Sequence, residues 1–387
     1  MFPAFRLPRI SPGRGLLLAA ALLLAACDVP AGRGPSVKAG EPVQVALLVP
    51  GGGGGDAIVS RNLENAARLA IADLNGVQID LRVYATGGSA SGASEAASRA
   101  ADEGAKVILG PLYSEAANAA GVAVAGRGIN VLSFSNNASI AGGNVFVLGN
   151  TFGNTAERLV RYAASQGKGN IYVVSANTAA EQIGRGAIER AIANSRASLA
   201  GSGTFEMSQQ GLVAAIPQIS GQIQQSGASA VFFTSDNAGA IPFLAQLLPE
   251  NGVSPATTQF IGLARLDIPP EALSQPGLQG AWLALPDPSL SQSFQSRYAS
   301  AYGSAPHPLA GLAYDGIAAI GALAGKGSSD ALSRASLTQG SGFVGVSGIF
   351  RLRADGTNQR GLAVGKIQNN QVTVIDPAPK SFGGFGS

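Results

Sequence analysis

The sequence predicts an α/β chain built on parallel sheets, and three features carry that expectation. Val43 to Val49 (VQVALLV) is a near-continuous apolar run, the pattern of a strand buried on both faces. It enters an all-glycine turn, Gly51 to Gly55, and then a stretch in which Leu63, Ala66, Ala67, Ala70, Ile71 and Leu74 recur at helical spacing. The same strand-then-helix order repeats along the chain, which implies parallel strands joined by right-handed crossovers. In such sheets ligands lie beyond the carboxyl ends of the strands, so candidate site residues are sought there.

Each element follows from its own signal. Gly76 ends the first helix as a left-handed cap would. IDLRVYA is the next strand and Ser91 to Glu103 a helix stopped by Gly104. KVILGP is a strand, a helix follows Ser114, and INVLSFS is a strand. A second series starts after Asn150. Asn154-Thr155 is expected to cap a helix that ends at Gly167, IYVVS is a strand, and Thr178 to Asn194 a helix. AVFFTS and the helix after Gly239 continue the alternation, and helices are expected at 290–302 and 308–324. GIFRLR, RGLAVGKI and QVTVID close the chain as strands, the last two separated by Gln368-Asn369-Asn370.

The 387 residues suffice for two domains, each with its own core. The N-terminus reads as a processing segment instead. Arg6, Arg9 and Arg14 precede an apolar run from Leu16 to Ala26, too short to span a bilayer and suited to a signal peptide. It ends Leu24-Ala25-Ala26-Cys27, so residues 1–27 are expected to be a lipoprotein signal with Cys27 as the lipidated residue and the only thiol in the chain. Residues 28–42 are Pro/Gly-rich and read as a tether of at most about 50 Å. Without the three signal arginines, 23 basic residues face 23 acidic ones, and that balance removes the electrostatic footprint of a nucleic-acid binder.

The glycine turn suggests phosphate binding, but the letters do not follow. No Gly-Lys-Ser/Thr succeeds it, and Asp56 stands where a dinucleotide fingerprint needs glycine. No cofactor is expected. His307 is the sole histidine and lies between two prolines, which excludes a histidine-based triad and a conventional zinc site. Ser165-x-x-Lys168 and Ser235-Asp-Asn237 spell fragments of penicillin-interacting serine enzymes, but Gly167 interrupts the helix between Ser165 and Lys168 and no Lys-Thr-Gly occurs. A serine hydrolase is therefore a remote alternative, and the chain is expected not to be an enzyme. What survives is a set of strand ends rich in small polar groups: Tyr113-Ser114, Ser133 to Asn137, Ser175 to Asn177 and Ser235 to Asn237. These can bind a small polar ligand, cap the following helices, or do both.

Here the chain resembles the type 1 periplasmic binding proteins of the leucine/isoleucine/valine-binding kind, over roughly 43–376. The resemblance rests on VALLVP…LENAARLAIADL, GAKVILGPLYSEAA, NVLSFSNN, LAYDGIAAIGAL and GFVGVSGIFRLRADGTNQRGLAVGKI. The last block, with IDPAPKSF behind it, is similar to the penicillin-binding protein activator branch. The resemblance implies two Rossmann-like lobes with parallel sheets joined by three crossovers. Lobe one would hold 43–152 and 286–342, lobe two 153–285 and 343–376, with 377–387 a tail. A cleft would run past Gly52, Gly53, Gly54, Ser114, Ser133 and Ser135, faced by Asn177 and Asp236; Tyr113 and Asn136 join from the strand-end reading. Gly239 falls where the receptors carry an acid for a ligand's ammonium, and Ile183-Gly184 replaces their Tyr-Gly, so free leucine, isoleucine or valine is expected to bind weakly. The implied function is a lipid-anchored periplasmic protein regulating peptidoglycan synthesis through a penicillin-binding protein. The alternative is an ABC-transporter receptor for an amino acid or similar small polar ligand, with a permease as partner. Which membrane carries the anchor is left open.

Overall fold

The computed structural model describes residues 34–382. The signal segment with Cys27, residues 28–33 of the tether and residues 383–387 lie outside the described residues.

Lobe one is built on five strands: β1 (Val43–Val49), β2 (Ile79–Ala85), β3 (Val107–Leu109), β4 (Asn130–Ser133) and β5 (Val145–Val147). Their order is β2-β1-β3-β4-β5 and every pairing is parallel. The intervening helices are α1 (Gly54–Ala72), α2 (Ala90–Asp102) and α3 (Ser114–Val124). One face of the sheet packs Leu47, Leu63 and Leu109 into a core; the other packs Leu48, Ile108 and the alanines of α2. Both faces are covered, as the unbroken apolar run of β1 requires.

The chain then enters lobe two through α4 (Phe152–Ser165), β6 (Asn170–Ala176), α5 (Ala179–Ala193), β7 (Ser198–Phe205), α6 (Gln209–Gln225), β8 (Ala230–Phe233), α7 (Ile241–Glu250), β9 (Gln259–Gly262) and β10 (Trp282–Leu285). It returns to lobe one with α8 (Pro288–Tyr302), α9 (Ala310–Ala324) and the short α10 (Arg334–Leu337). The strands β11 (Phe343–Gly345), β12 (Gly348–Leu352) and β13 (Asn358–Arg360) form a small antiparallel sheet. A third crossing delivers β14 (Ala363–Gln368) and β15 (Gln371–Asp376) to lobe two, whose order is β15-β14-β10-β9-β8-β6-β7.

Five expectations change. The second sheet is mixed rather than parallel, because β14 runs antiparallel to both β10 and β15. Asn369 and Asn370, at φ 53° and 60°, make the tight two-residue reversal such a hairpin needs. Residues 343–352 pack with lobe one, since Phe343, Phe350 and Leu352 share the core of Leu47 and Leu109; the lobe boundary falls after Arg360, not at 343. RGLAVGKI is not one strand but the end of β13 and most of β14, broken at Gly361-Leu362 where the chain crosses. The helix α4 is capped by Thr151, whose hydroxyl accepts from the Asn154 amide at 3.3 Å, so Asn154 lies inside the helix. The described part of the tether is also docked: Val37 is buried and its amide donates to Ser329 O at 2.9 Å.

The crossings are tied together by buried polar groups. Asp315 on α9 is fully buried and pairs with Arg360 at 2.9 Å. Arg360 also donates to Leu148 O, and its backbone amide reaches Asn154 Oδ1 at 3.1 Å. Asn358 accepts from Asn154 at 2.6 Å and donates to Val147 O and Gly149 O at 2.8 Å each. Burial pushes the Asp315 carboxyl up, against the pull of Arg360 and the Val346 amide.

Candidate functional site: the carboxyl edges of the two sheets

On lobe one, β1 ends at Val49 and the glycine turn carries the chain to α1. Gly51 has φ +71°, and a Cβ there would sit 2.8 Å from the Ala85 Cβ, so this backbone passes against β2 with no room for a side chain. Gly52 and Gly54 adopt φ +77° and +60°, a conformation that costs other residues about 1 kcal/mol. Of the three central glycines only Gly53, with φ −114°, is conformationally ordinary. Ser60 holds the turn, accepting from the Gly51 amide at 2.8 Å and donating to Asp56 O at 2.7 Å. Gly53 stands at the N-cap without a side-chain acceptor, leaving the first amides of α1 bare.

Tyr113, at the start of α3, donates its hydroxyl to Asp56 Oδ1 at 2.6 Å, and that bond, with burial second, raises its pKa. The ring lies over Gly88, where a Cβ would stand 3.3 Å from the Tyr113 Cε2. Ser114 opens α3 half-buried. Ser133, expected at the cleft, is fully buried; its hydroxyl donates to Pro111 O at 3.0 Å and accepts from the Ser135 amide at 3.1 Å. Ser135 is also buried and accepts from the Asn137 amide at 3.1 Å. Both serines shape the loop, and of this group Asn136 is the exposed residue beside them.

On lobe two, Asn177 and Asp236 are exposed at the ends of β6 and β8. Asn177 donates to Glu206 Oε1 at 3.0 Å, and Asp236 Oδ1 accepts from the Gly239 amide at 2.8 Å. Between them lies a residue that sequence reasoning missed. Glu181, in the first turn of α5, accepts from the Ala176 amide at 2.5 Å, the Thr234 hydroxyl at 2.8 Å and the Ser235 hydroxyl at 2.8 and 2.9 Å. Gly184, one turn on, allows this approach: a Cβ there would lie 2.8 Å from Leu263 Cδ2 and 3.4 Å from Thr234 Cγ2. The signal was present as Thr178-x-x-Glu181, a capping-box spacing, and the Thr178 hydroxyl does accept from the Glu181 amide. The carboxylate, however, turns away to join two strands. Ile183 and Met207 are large, exposed apolar side chains on the same edge.

The serine-enzyme letters do not assemble. Ser165 donates to Tyr162 O at 2.7 Å while Lys168 points to Thr257 O at 3.3 Å, and the Ser235 hydroxyl is spent on Glu181. His307 sits in a loop, its Nδ1 accepting from the Leu309 amide. Among the described residues no group of three or more His, Cys, Asp or Glu is placed to hold a metal ion, and no helix is long and apolar enough to cross a membrane. Residues of all three crossings frame a recess of ≈ 230 Å³, lined by Thr151, Phe152, Arg265, Leu285 and Leu362 among others. Arg265 there is held by both oxygens of Asp267, at 2.5 and 2.6 Å. Among the described residues no hydrogen bond or ion pair joins the Gly51–Asp56 turn or Tyr113 to Asn177, Glu181 or Asp236.

Two α/β lobes joined by three crossings, with polar groups at the carboxyl edges of both sheets, define a two-lobed α/β architecture. The sequence profile of the family described as Periplasmic binding protein matches residues 42–371, and the chain belongs to that family. A provisionally assigned branched-chain amino acid ABC transporter protein from Rhodospirillum rubrum is 18% identical with a TM-score of 0.72, over 87% of this chain and 100% of that one. An ABC transporter substrate-binding protein from Desulfitobacterium hafniense, in complex with Leu, is 16% identical with a TM-score of 0.62, over 87% and 100%. A solute-binding protein of an R. palustris ABC transporter, in complex with benzoate, is 17% identical with a TM-score of 0.55, over 88% and 97%. At these identities the likeness is one of fold. Comparison with curated protein sequences gives no match.

Proposed function

We propose that this chain is a non-catalytic solute receptor that closes its lobes on a small polar ligand and presents it to an ABC permease. The observation that carries the reading is the pair of polar sheet edges: Tyr113, Asp56 and the bare start of α1 on one side, Asn177, Glu181 and Asp236 on the other. Their side chains are held by hydrogen bonds within each lobe, so the faces are set before any ligand arrives. Structural relatives that bind leucine and benzoate for ABC transporters support transport over the cell-wall role that the C-terminal resemblance raises. Attachment through Cys27 to a membrane facing the periplasm completes the proposal; such anchoring keeps the receptor near its permease.

The two roles separate in cells lacking the protein. The expected result is loss of uptake of the solute that stabilises the purified chain, with unchanged sensitivity to β-lactams. Normal uptake with altered β-lactam sensitivity would transfer the assignment to peptidoglycan synthesis.

A further inference from the structure

We propose that residues 377–382 are a strap that restrains the movement of one lobe against the other. They belong to IDPAPKSF, a block that the receptor reading leaves without a role. The chain chemistry suits a tie. Pro377 has no amide hydrogen to donate to a ladder, and β15 stops at Asp376. Pro379 follows two residues on, and each proline holds the residue before it extended, which makes a stiff segment rather than a loose tail.

The two ends are fastened to different lobes. At the root, Arg158 of α4 donates to Asp376 Oδ2 at 2.6 Å and to Pro377 O at 3.4 Å, while its Nε donates to Leu362 O at 2.6 Å. One side chain thus holds both the strap and the third crossing. Midway, the strap passes Gly361, where a Cβ would stand 3.1 Å from Pro379 Cγ. At the far end Phe382 is buried against the small sheet of lobe one. The Arg351 guanidinium lies 4.7 Å from its ring centroid, and a Cβ on Gly342 would stand 2.8 Å from its Cε2. Phe343 and Phe350, the chain neighbours of those two residues, share the core of Leu47 and Leu109. The strap is not packed solid against α4: Arg158, Tyr162, Gln359, Pro379 and Phe382 help to line a recess of ≈ 130 Å³.

Lobes that close on a solute turn about their crossings, and Gly361-Leu362 is one of these. A segment this short, tied at both ends, allows little of that turning. The root is held by an ion pair and a strand, the far end by one ring, so Phe382 is the end that lets go. The strap therefore favours the arrangement described above, in which no bond among the described residues joins the Gly51–Asp56 turn to Asn177, Glu181 or Asp236. The movement it restrains is the one the receptor reading requires, and to that extent it rests on that reading.

The test is the distance between spin labels on Val122→Cys of α3 and Val213→Cys of α6, positions 73% and 51% exposed on different lobes, measured without solute. Cys27→Ser leaves no other thiol. The labelled chain with Phe382, and the same chain with Phe382→Tyr, which keeps the ring, should each give one narrow distance. Phe382→Ala should widen the distribution about twofold or add a second peak, as the release of a minor state does. Circular dichroism checks that the fold is kept; should Phe382→Ala fail to fold, Phe382→Leu carries the same prediction. One unchanged distribution in all these chains would overturn the strap, and a lowered melting point alone would make Phe382 a packing residue. The two levels of failure separate. Widening in a chain that no solute stabilises keeps the strap and refutes the receptor, whereas a solute-stabilised chain without widening keeps the receptor and refutes the strap.

Discussion

Replacing Arg360 by Met should be among the most damaging single changes outside the apolar cores. The guanidinium is 4% exposed and the carboxylate it meets, Asp315, is 0% exposed, at 2.9 Å. Removing one partner of a buried pair leaves the other charged and unpaired, at a cost of about 3–5 kcal/mol. Two further bonds from Arg360 to Leu148 O disappear with it, so the first crossing loses an anchor as well. Urea unfolding of wild type and Arg360→Met, read by circular dichroism, measures the loss. The companion change Asp315→Leu in the Arg360→Met background should recover much of it, because an apolar pair of similar volume leaves no orphaned charge. The pH dependence has a fixed sign. Burial raises the Asp315 pKa above the ordinary carboxylate value, so in the window above that value the native state binds more protons than the unfolded state and stability falls as pH rises. Without Arg360 the shift grows; the deficit of Arg360→Met should therefore shrink as the medium is acidified towards pH 3.8. A deficit below about 1 kcal/mol, or one that grows in acid, would refute the reasoning.

Other outcomes follow from single positions. Gly52→Ser and Gly54→Ser should each cost about 1 kcal/mol through their positive φ, whereas Gly53→Ser should be neutral or stabilise by a few tenths as an N-cap, all by urea unfolding. Gly316→Ala should cost about 1–3 kcal/mol because its Cβ would lie 2.2 Å from the Leu109 Cδ1, in the same assay. Asp73→Asn, by contrast, removes a solvent-facing pair with Arg297 and should cost less than about 1 kcal/mol. Cys27→Ser should leave the N-terminus without lipid and with its signal uncut, as mass spectrometry of the mature chain would report; normal maturation would exclude the anchor.

The strands and helices that the sequence revealed are those whose burial is one-sided or complete. The runs of β1, β6 and β8 announce themselves because both faces are covered, and the α1 stripe because one face is. What escaped obeys other physics. The edge strand β7 reads SLAGSGTF, half exposed and glycine-rich, since Tyr172 packs into the space left by Gly201 and Gly203. Helix α6 carries Pro217 in its interior, which sequence rules treat as a stop. The lobe boundary was misplaced because the 343–360 hairpin is anchored by buried tertiary bonds, Asp315 to the Val346 amide and Asn358 to Gly149 O, that leave no periodicity. At the site, exposure at a strand end was legible for Asn177 and Asp236. The inward turn of Ser133 was not, and neither was that of Glu181, whose partners lie 53 and 54 residues away.

The central claim is that a small solute binds between the lobes, and Gly53→Trp tests it most directly. Gly53 has an ordinary φ of −114° and a Cβ there meets nothing within 4 Å, so an indole can stand in the cleft without disturbing either core. Thermal unfolding of wild type and Gly53→Trp against a panel of amino acids, amines and aromatic acids is the measurement. The variant alone should melt within about 3 °C of wild type. At least one solute should stabilise wild type, by about 2.7 kcal/mol at a hundredfold excess over its Kd, and fail to stabilise the variant. A solute that stabilises both equally, or a wild-type chain that responds to none, would contradict the claim.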